Sequence, residues 1–241
     1  MAKKKKKATD PQEKLPNGMY KERTKHALLQ GGLLLVFLFG FGVLTEIVNM
    51  VPSEIAALIV LRNSSMRTSF VLEIMFVVIG LAVFIIGGYL AAQKTGEADA
   101  LYTFQNKLER KLDKRYLLLG VIAALVVYYI LASLMNFRFV SGPTYHLGKL
   151  LKGEVLEENV ASKIPLGLRL LAGLICTVIP APFAVKGAFK GYAVEMDRLT
   201  EEESENARME AERKAREEAE AAEKAAQDAE RAARRASRNQ Q

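Results

Sequence analysis

Cysteine and histidine are nearly missing from this chain, and their scarcity removes several classes of chemistry. Of 241 residues one is cysteine and two are histidine. A single cysteine, Cys176, permits no internal disulfide and no cysteine-based metal site. It lies among Leu, Ile and Val, where a thiol serves packing rather than reaction. His26 and His146 both fall outside the long apolar runs, which speaks against haem or a related pigment held inside a span. No cofactor is expected. No phosphate-binding Gly-Lys-Ser/Thr loop, Gly-x-Ser-x-Gly elbow or His-Glu-x-x-His helix is present, so nothing points to an enzyme. A cleavable signal peptide is also a poor fit, because the first apolar run is too long and 26 residues precede it.

Charge is nearly missing from four long stretches, at about residues 27–51, 69–92, 116–136 and 164–185. Each reaches the roughly 20 residues an α-helix needs to cross a bilayer. Each is apolar all round the helix, unlike the one-sided stripe of a soluble helix. The fold class that follows is an all-α membrane protein: a four-transmembrane-helix bundle with short interfacial helices and a long charged C-terminal cytoplasmic helix.

The charge that is present is unevenly placed. The net charge is +7; residues 1–26 contribute +6, residues 27–194 contribute +5 and residues 195–241 contribute −4. Three segments follow: a disordered basic tail over 1–26, a four-span domain over 27–194 and a charged helix over 195–241. The run Lys3, Lys4, Lys5, Lys6 and Lys7 repels itself and cannot build a core. Its expected partner is anionic lipid headgroups, each lysine near the surface contributing on the order of 1 kcal/mol. Without interleaved aromatics or a folded module, it is not read as a nucleic-acid site.

Sidedness follows from the basic residues. With both termini cytoplasmic, the inner segments carry 18 Lys/Arg and the outer loops six. The expected location is a bacterial inner membrane.

Punctuation within the chain gives further boundaries. Pro52 is expected to end the first span, and Ser53 to cap a short interfacial stretch over 55–61. Gly96, Glu97 and Asp99 are expected to open a soluble segment after the second span. Leu101, Phe104, Leu108 and Leu112 then recur at helical spacing and predict an amphipathic helix leading into the third span. A second amphipathic piece is predicted over 146–158, after a Ser141-Gly142-Pro143 turn. Pro180 and Pro182 predict a kink or break late in the fourth span. Thr200 to Glu203 has the form of a capping box that would start the last helix. That helix is rich in acid-to-base i,i+4 pairs, such as Glu210 with Lys214, and lacks a repeated apolar seam. It is therefore read as a solvated or partner-docked helix in preference to a strong coiled coil.

Candidate functional residues are few. Glu46, Glu73 and Arg169 are the ionisable residues inside the runs, the default place to look for function in a membrane protein. In the cytoplasmic-termini topology all three sit near the outer rim. An arginine–carboxylate salt bridge that locks helices is preferred over part of an ion or proton path, because none of the three is central. His146 reads as a solvent-exposed loop residue. Gly87, Gly88, Ala91, Ala92, Gly187 and Gly191 are small residues spaced for close helix packing. The functional expectation is a non-enzymatic accessory or scaffold subunit of a larger membrane complex. Its partners would be other membrane-protein subunits or further copies of itself, and a cytoplasmic protein through residues 200–241. A small oligomeric channel or transporter is the alternative, and a membrane enzyme of lipid metabolism a weaker one.

Overall fold

The computed structural model describes residues 17–60, 66–108, 110–135, 138–153 and 164–238. Every regular element among them is helical: α1 Asn17–Val60, α2 Met66–Gln105, α3 Arg110–Met135, α4 Arg138–Ser141, α5 Pro143–Lys152, α6 Leu166–Val178 and α7 Ala181–Arg238. The chain divides into two compact units, Met1–Val194 and Glu195–Gln241.

Four helical stretches are long and apolar enough to cross a membrane. They are Tyr20–Met50, Ser69–Gln105, Lys114–Met135 and the α6–α7 stretch beginning at Leu166. Four such stretches make this an integral membrane protein. Their outward faces carry exposed Leu29, Val36, Val78, Ile86, Ile122 and Leu174, which suit hydrocarbon and would be costly in water.

In the first unit α1 packs against both α2 and α3, and α6 packs against α3 and α5. The centre is filled by Leu34 and Leu38 of α1, Phe84 of α2 and Tyr128 of α3, all 1–2% exposed. Glycine allows the closest crossings. A Cβ on Gly31 would lie 2.5 Å from the carbonyl oxygen of Gly120, and one on Gly120 the same distance from that of Ala27. Between α2 and α7 the approach is tighter still: a Cβ on Gly187 would overlap the carbonyl of Tyr89, one on Gly191 that of Gln93, and one on Gly96 that of Ala188.

Several sequence boundaries are displaced. α1 starts at Asn17, so residues 17–26 are helical; residues 1–16 lie outside the described residues. α1 also continues through Pro52 to Val60. A proline costs one backbone bond and a steric clash, yet its φ is a helical one, and a long helix tolerates it. α2 runs through Gly96 to Gln105, because the glycine there serves the α7 crossing and not a helix end. Leu101 and Phe104 therefore extend α2, and the chain turns at residues 106–108 before α3. Thr200 is interior to α7. Its hydroxyl donates back to the carbonyl of Met196 at 2.9 Å, which a residue in an established helix does when no free N–H needs capping. The fourth apolar run is interrupted at Ile179–Pro180, between α6 and α7.

After α3 the chain folds back into the bundle. Ser141 Oγ donates to the carbonyl of Ala132 at 2.8 Å, which places the end of α4 beside a turn of α3 already passed. The reversal occurs at Gly142, whose φ of +47° favours glycine. A Cβ on Gly142 would lie 3.3 Å from the Cα of Gly42, and one on Gly80 would lie 2.9 Å from Pro143. Gly42 is eight residues in from Met50 and Gly80 eleven in from Ser69, or about 12 and 16 Å at ~1.5 Å per residue. The hairpin tip thus reaches close to the middle of a ~30 Å apolar layer. α5 then returns and ends at Gly153, where φ is +76° and the N–H donates to the carbonyls of Lys149 and Leu150.

Candidate functional site

Burying a loop at this depth requires its polar groups to find partners, and the hairpin meets two carboxylates. On α1, Thr45, Glu46 and Asn49 fall on one buried face; on α2, Glu73, Phe76 and Gly80 do the same. His146 and Lys149 lie three residues apart on α5, hence on one side of it. Together they form an unbroken chain. Arg138 Nε donates to Glu46 Oε2 at 2.5 Å. His146 Nε2 faces Glu46 Oε1 at 2.9 Å. His146 Nδ1 faces Glu73 Oε2 at 2.6 Å. Lys149 Nζ donates to Glu73 Oε1 at 2.5 Å.

Every carboxylate oxygen is engaged, and both ring nitrogens are. Glu46, His146 and Glu73 are 1%, 2% and 6% exposed, whereas nearly half of the Arg138 side chain is open. The ring of Phe76 covers the imidazole at 5.1 Å between centroids. Burial alone would disfavour the imidazolium, but the two carboxylates outweigh it and hold His146 above its ordinary pKa. The ligating atoms point at one another and at Arg138 and Lys149, so the set is a hydrogen-bonded chain and not a cage for a metal. No metal-binding group is found among the described residues. One turn beyond Glu46, the fully buried Asn49 has an amide with no partner for its oxygen or its nitrogen.

The sequence candidates separate here. Glu46 and Glu73 join the same chain. Arg169 does not: it lies on α6, and its Nη1 reaches the carbonyl of Leu134 at 3.4 Å, near the end of α3 where carbonyls lack helical donors. The cations on the carboxylates are Arg138, Lys149 and His146, which sequence reasoning assigned to a loop. His146 is buried and not solvent-exposed, because the loop is folded inward. A signal was present in His146 and Lys149 at helical spacing just after a Gly-Pro turn. Of the packing candidates, Ala91 and Ala92 are buried, Gly187 and Gly191 meet backbone of α2, a Cβ on Gly87 would meet the ring of Phe41, and Gly88 is open on its Cα side. Lys3 to Lys7 lie outside the described residues.

A second cluster lies near the opposite end of α1. Arg23 donates through both terminal nitrogens to Asp99, at 2.6 and 2.5 Å. His26 Nδ1 lies 3.3 Å from the same carboxylate, and its ring stacks on Tyr102 at 3.9 Å. The guanidinium also lies over the rings of Tyr102 and Tyr116. Between the two clusters stand Leu34, Leu38, Phe84 and the body of Tyr128.

No protein-family model matches this chain, and no curated protein and no solved structure is similar to it.

Proposed function

We propose that this protein is a non-enzymatic accessory or scaffold subunit of a larger membrane complex, anchored by its helical bundle and engaging a cytoplasmic partner through the charged end of α7. The observation that carries this reading is the second unit. Residues 201–225 are exposed without exception, and Met209 is the one large apolar side chain among them. The helix holds itself with local pairs such as Arg208–Glu212 and Lys214–Glu210. Such pairs contribute a few tenths of a kcal/mol each. A helix of this kind buries nothing for the fold, so its length is explained by what it reaches outside the chain. The membrane in this proposal is a bacterial inner membrane with both termini cytoplasmic. The N-terminal lysines add attraction to anionic headgroups, and the spans add contacts to other membrane subunits or further copies of the chain.

The test is affinity purification from native membranes, comparing the full chain with one ending at Leu199. The full chain should bring down a soluble protein at fixed stoichiometry, and the shortened chain should insert normally and lose it. A full chain that purifies alone and monomeric would overturn the proposal. Reporter fusions at each terminus should both give a cytoplasmic signal.

A small channel or transporter is a second reading, favoured by one observation: ionisable side chains are buried well inside the bundle, where they commonly mark ion or proton paths. The apolar layer between the two clusters weighs against a continuous path through a single bundle. Reconstituted vesicles, assayed for proton and cation flux, separate the two readings.

A further inference from the structure

The His146 chain is built in a way that a pair of simple salt bridges is not. An imidazole between two carboxylates has two nitrogens and needs two protons to donate to both. A neutral imidazole has one. Its second nitrogen then presents a lone pair to a carboxylate oxygen, and the contact turns repulsive unless that carboxyl holds the proton instead. In either arrangement one proton belongs to the three side chains together.

We propose that Glu46, His146 and Glu73 form a single proton-binding site whose occupancy holds the re-entrant hairpin in its seat. The geometry is the support. The two ring nitrogens lie 2.9 and 2.6 Å from carboxylate oxygens supplied by α1 and α2. The imidazole is carried by the hairpin itself. It thus fastens α5 to both long helices at once, and loses one fastening with the proton.

The surrounding charges define the states. α1 supplies Glu46, α2 supplies Glu73, α4 supplies Arg138, and α5 itself supplies Lys149 and Tyr145. α6 turns its Arg169 to the carbonyl of Leu134 instead. With the proton bound, Arg138, His146 and Lys149 face two carboxylates. With the proton released, Arg138 and Lys149 balance those carboxylates alone, and one nitrogen of His146 is left against an oxygen. The Arg138 end of the chain is the less covered one, with 46% of that side chain exposed. Asn49, buried and unpartnered one turn from Glu46, adds polar capacity beside it. The raised pKa of His146 agrees with this arrangement.

The experiment uses the full-length protein in lipid nanodiscs, labelled with ¹⁵N-histidine. Only two histidines are present, so His26→Gln assigns the signals. The site is expected to hold its proton at pH 7.5, either as an imidazolium with both nitrogens protonated or as a neutral ring with a protonated-carboxyl infrared band that vanishes in Glu46→Gln or Glu73→Gln. Raising the pH should release the proton. Hydrogen–deuterium exchange, corrected for its intrinsic pH dependence, should then accelerate at least tenfold across residues 138–152 and stay unchanged across 117–130. A neutral His146 with no protonated carboxyl at pH 7.5 would overturn the site. Proton release with no change in exchange over the hairpin would overturn its coupling to seating. The His26→Gln variant leaves Glu46, His146 and Glu73 intact and serves only to assign the signals; the titration and the exchange are read on the wild-type chain.

Discussion

Arg23 shows what a buried charge demands of its neighbours. It is 3% exposed, and both of its terminal nitrogens are bound by Asp99, itself 1% exposed. Asp99→Ala should therefore destabilise the bundle by about 3–5 kcal/mol, since it removes the carboxylate that both terminal nitrogens of a buried guanidinium engage. Thermal unfolding in detergent measures this. His146 makes a prediction with a direction in pH. Its folded pKa is raised, so its contribution to stability is fully present below its unfolded value of about 6.5 and is lost as pH rises through the folded value. The wild-type unfolding midpoint should fall as the pH passes upward through that range, and His146→Gln should flatten this part of the profile. The carboxylates were legible in the sequence because a charge inside an apolar run stands out. Their partners were not. His146 lies 100 residues from Glu46 and 73 from Glu73, and only the inward fold of a loop brings them together. Arg169 drew attention as the one cation inside a run, whereas the cations that serve Glu46 and Glu73 lie outside the runs.

Helices in this protein are positioned by small residues more than by their punctuation. Gly96 and Gly191 are each closed off by backbone of the opposing helix, so Gly96→Ala or Gly191→Ala must push α2 and α7 apart, at a cost of about 1–3 kcal/mol. Gly88 has open space where its Cβ would go. Gly88→Ala should be neutral or stabilising by up to about 1 kcal/mol, from helix propensity alone. Unfolding midpoints of the three variants, measured side by side, check the contrast. The existence of the four long apolar helices was legible because their length and lack of charge are properties of local sequence. Their ends were less so. Pro52, Gly96 and Thr200 each carry a boundary signal, and in each case the helix continues, because a local preference of about 1–3 kcal/mol is small against the continuity of a long packed helix. The inward turn at Gly142 could not be read from its Ser-Gly-Pro signature, since that signature marks a reversal and not the depth at which it occurs.

At the scale of the whole molecule, the first unit holds the packed cores, and residues 201–225 of the second are exposed along their whole length. Ending the chain at Leu199 should leave the unfolding midpoint of the first unit unchanged within about 0.5 kcal/mol, because residues 201–225 bury nothing. A measurable loss would show that the exposed helix supports the bundle after all. The re-entrant hairpin also imposes an order on biosynthesis. Its three cations emerge from the ribosome 73 to 100 residues after the carboxylates they bind, so Glu46 and Glu73 enter the lipid before any of those partners exists. Until residues 138–152 arrive, the nascent bundle has two acidic groups without their counter-ions, and the insertion machinery must either shelter them or hold the first two helices back. Seating the hairpin is then a docking event that follows the first three long helices and precedes the fourth stretch from Leu166, and the time between the second helix and the hairpin is when a quality-control protease would find this protein easiest to recognise.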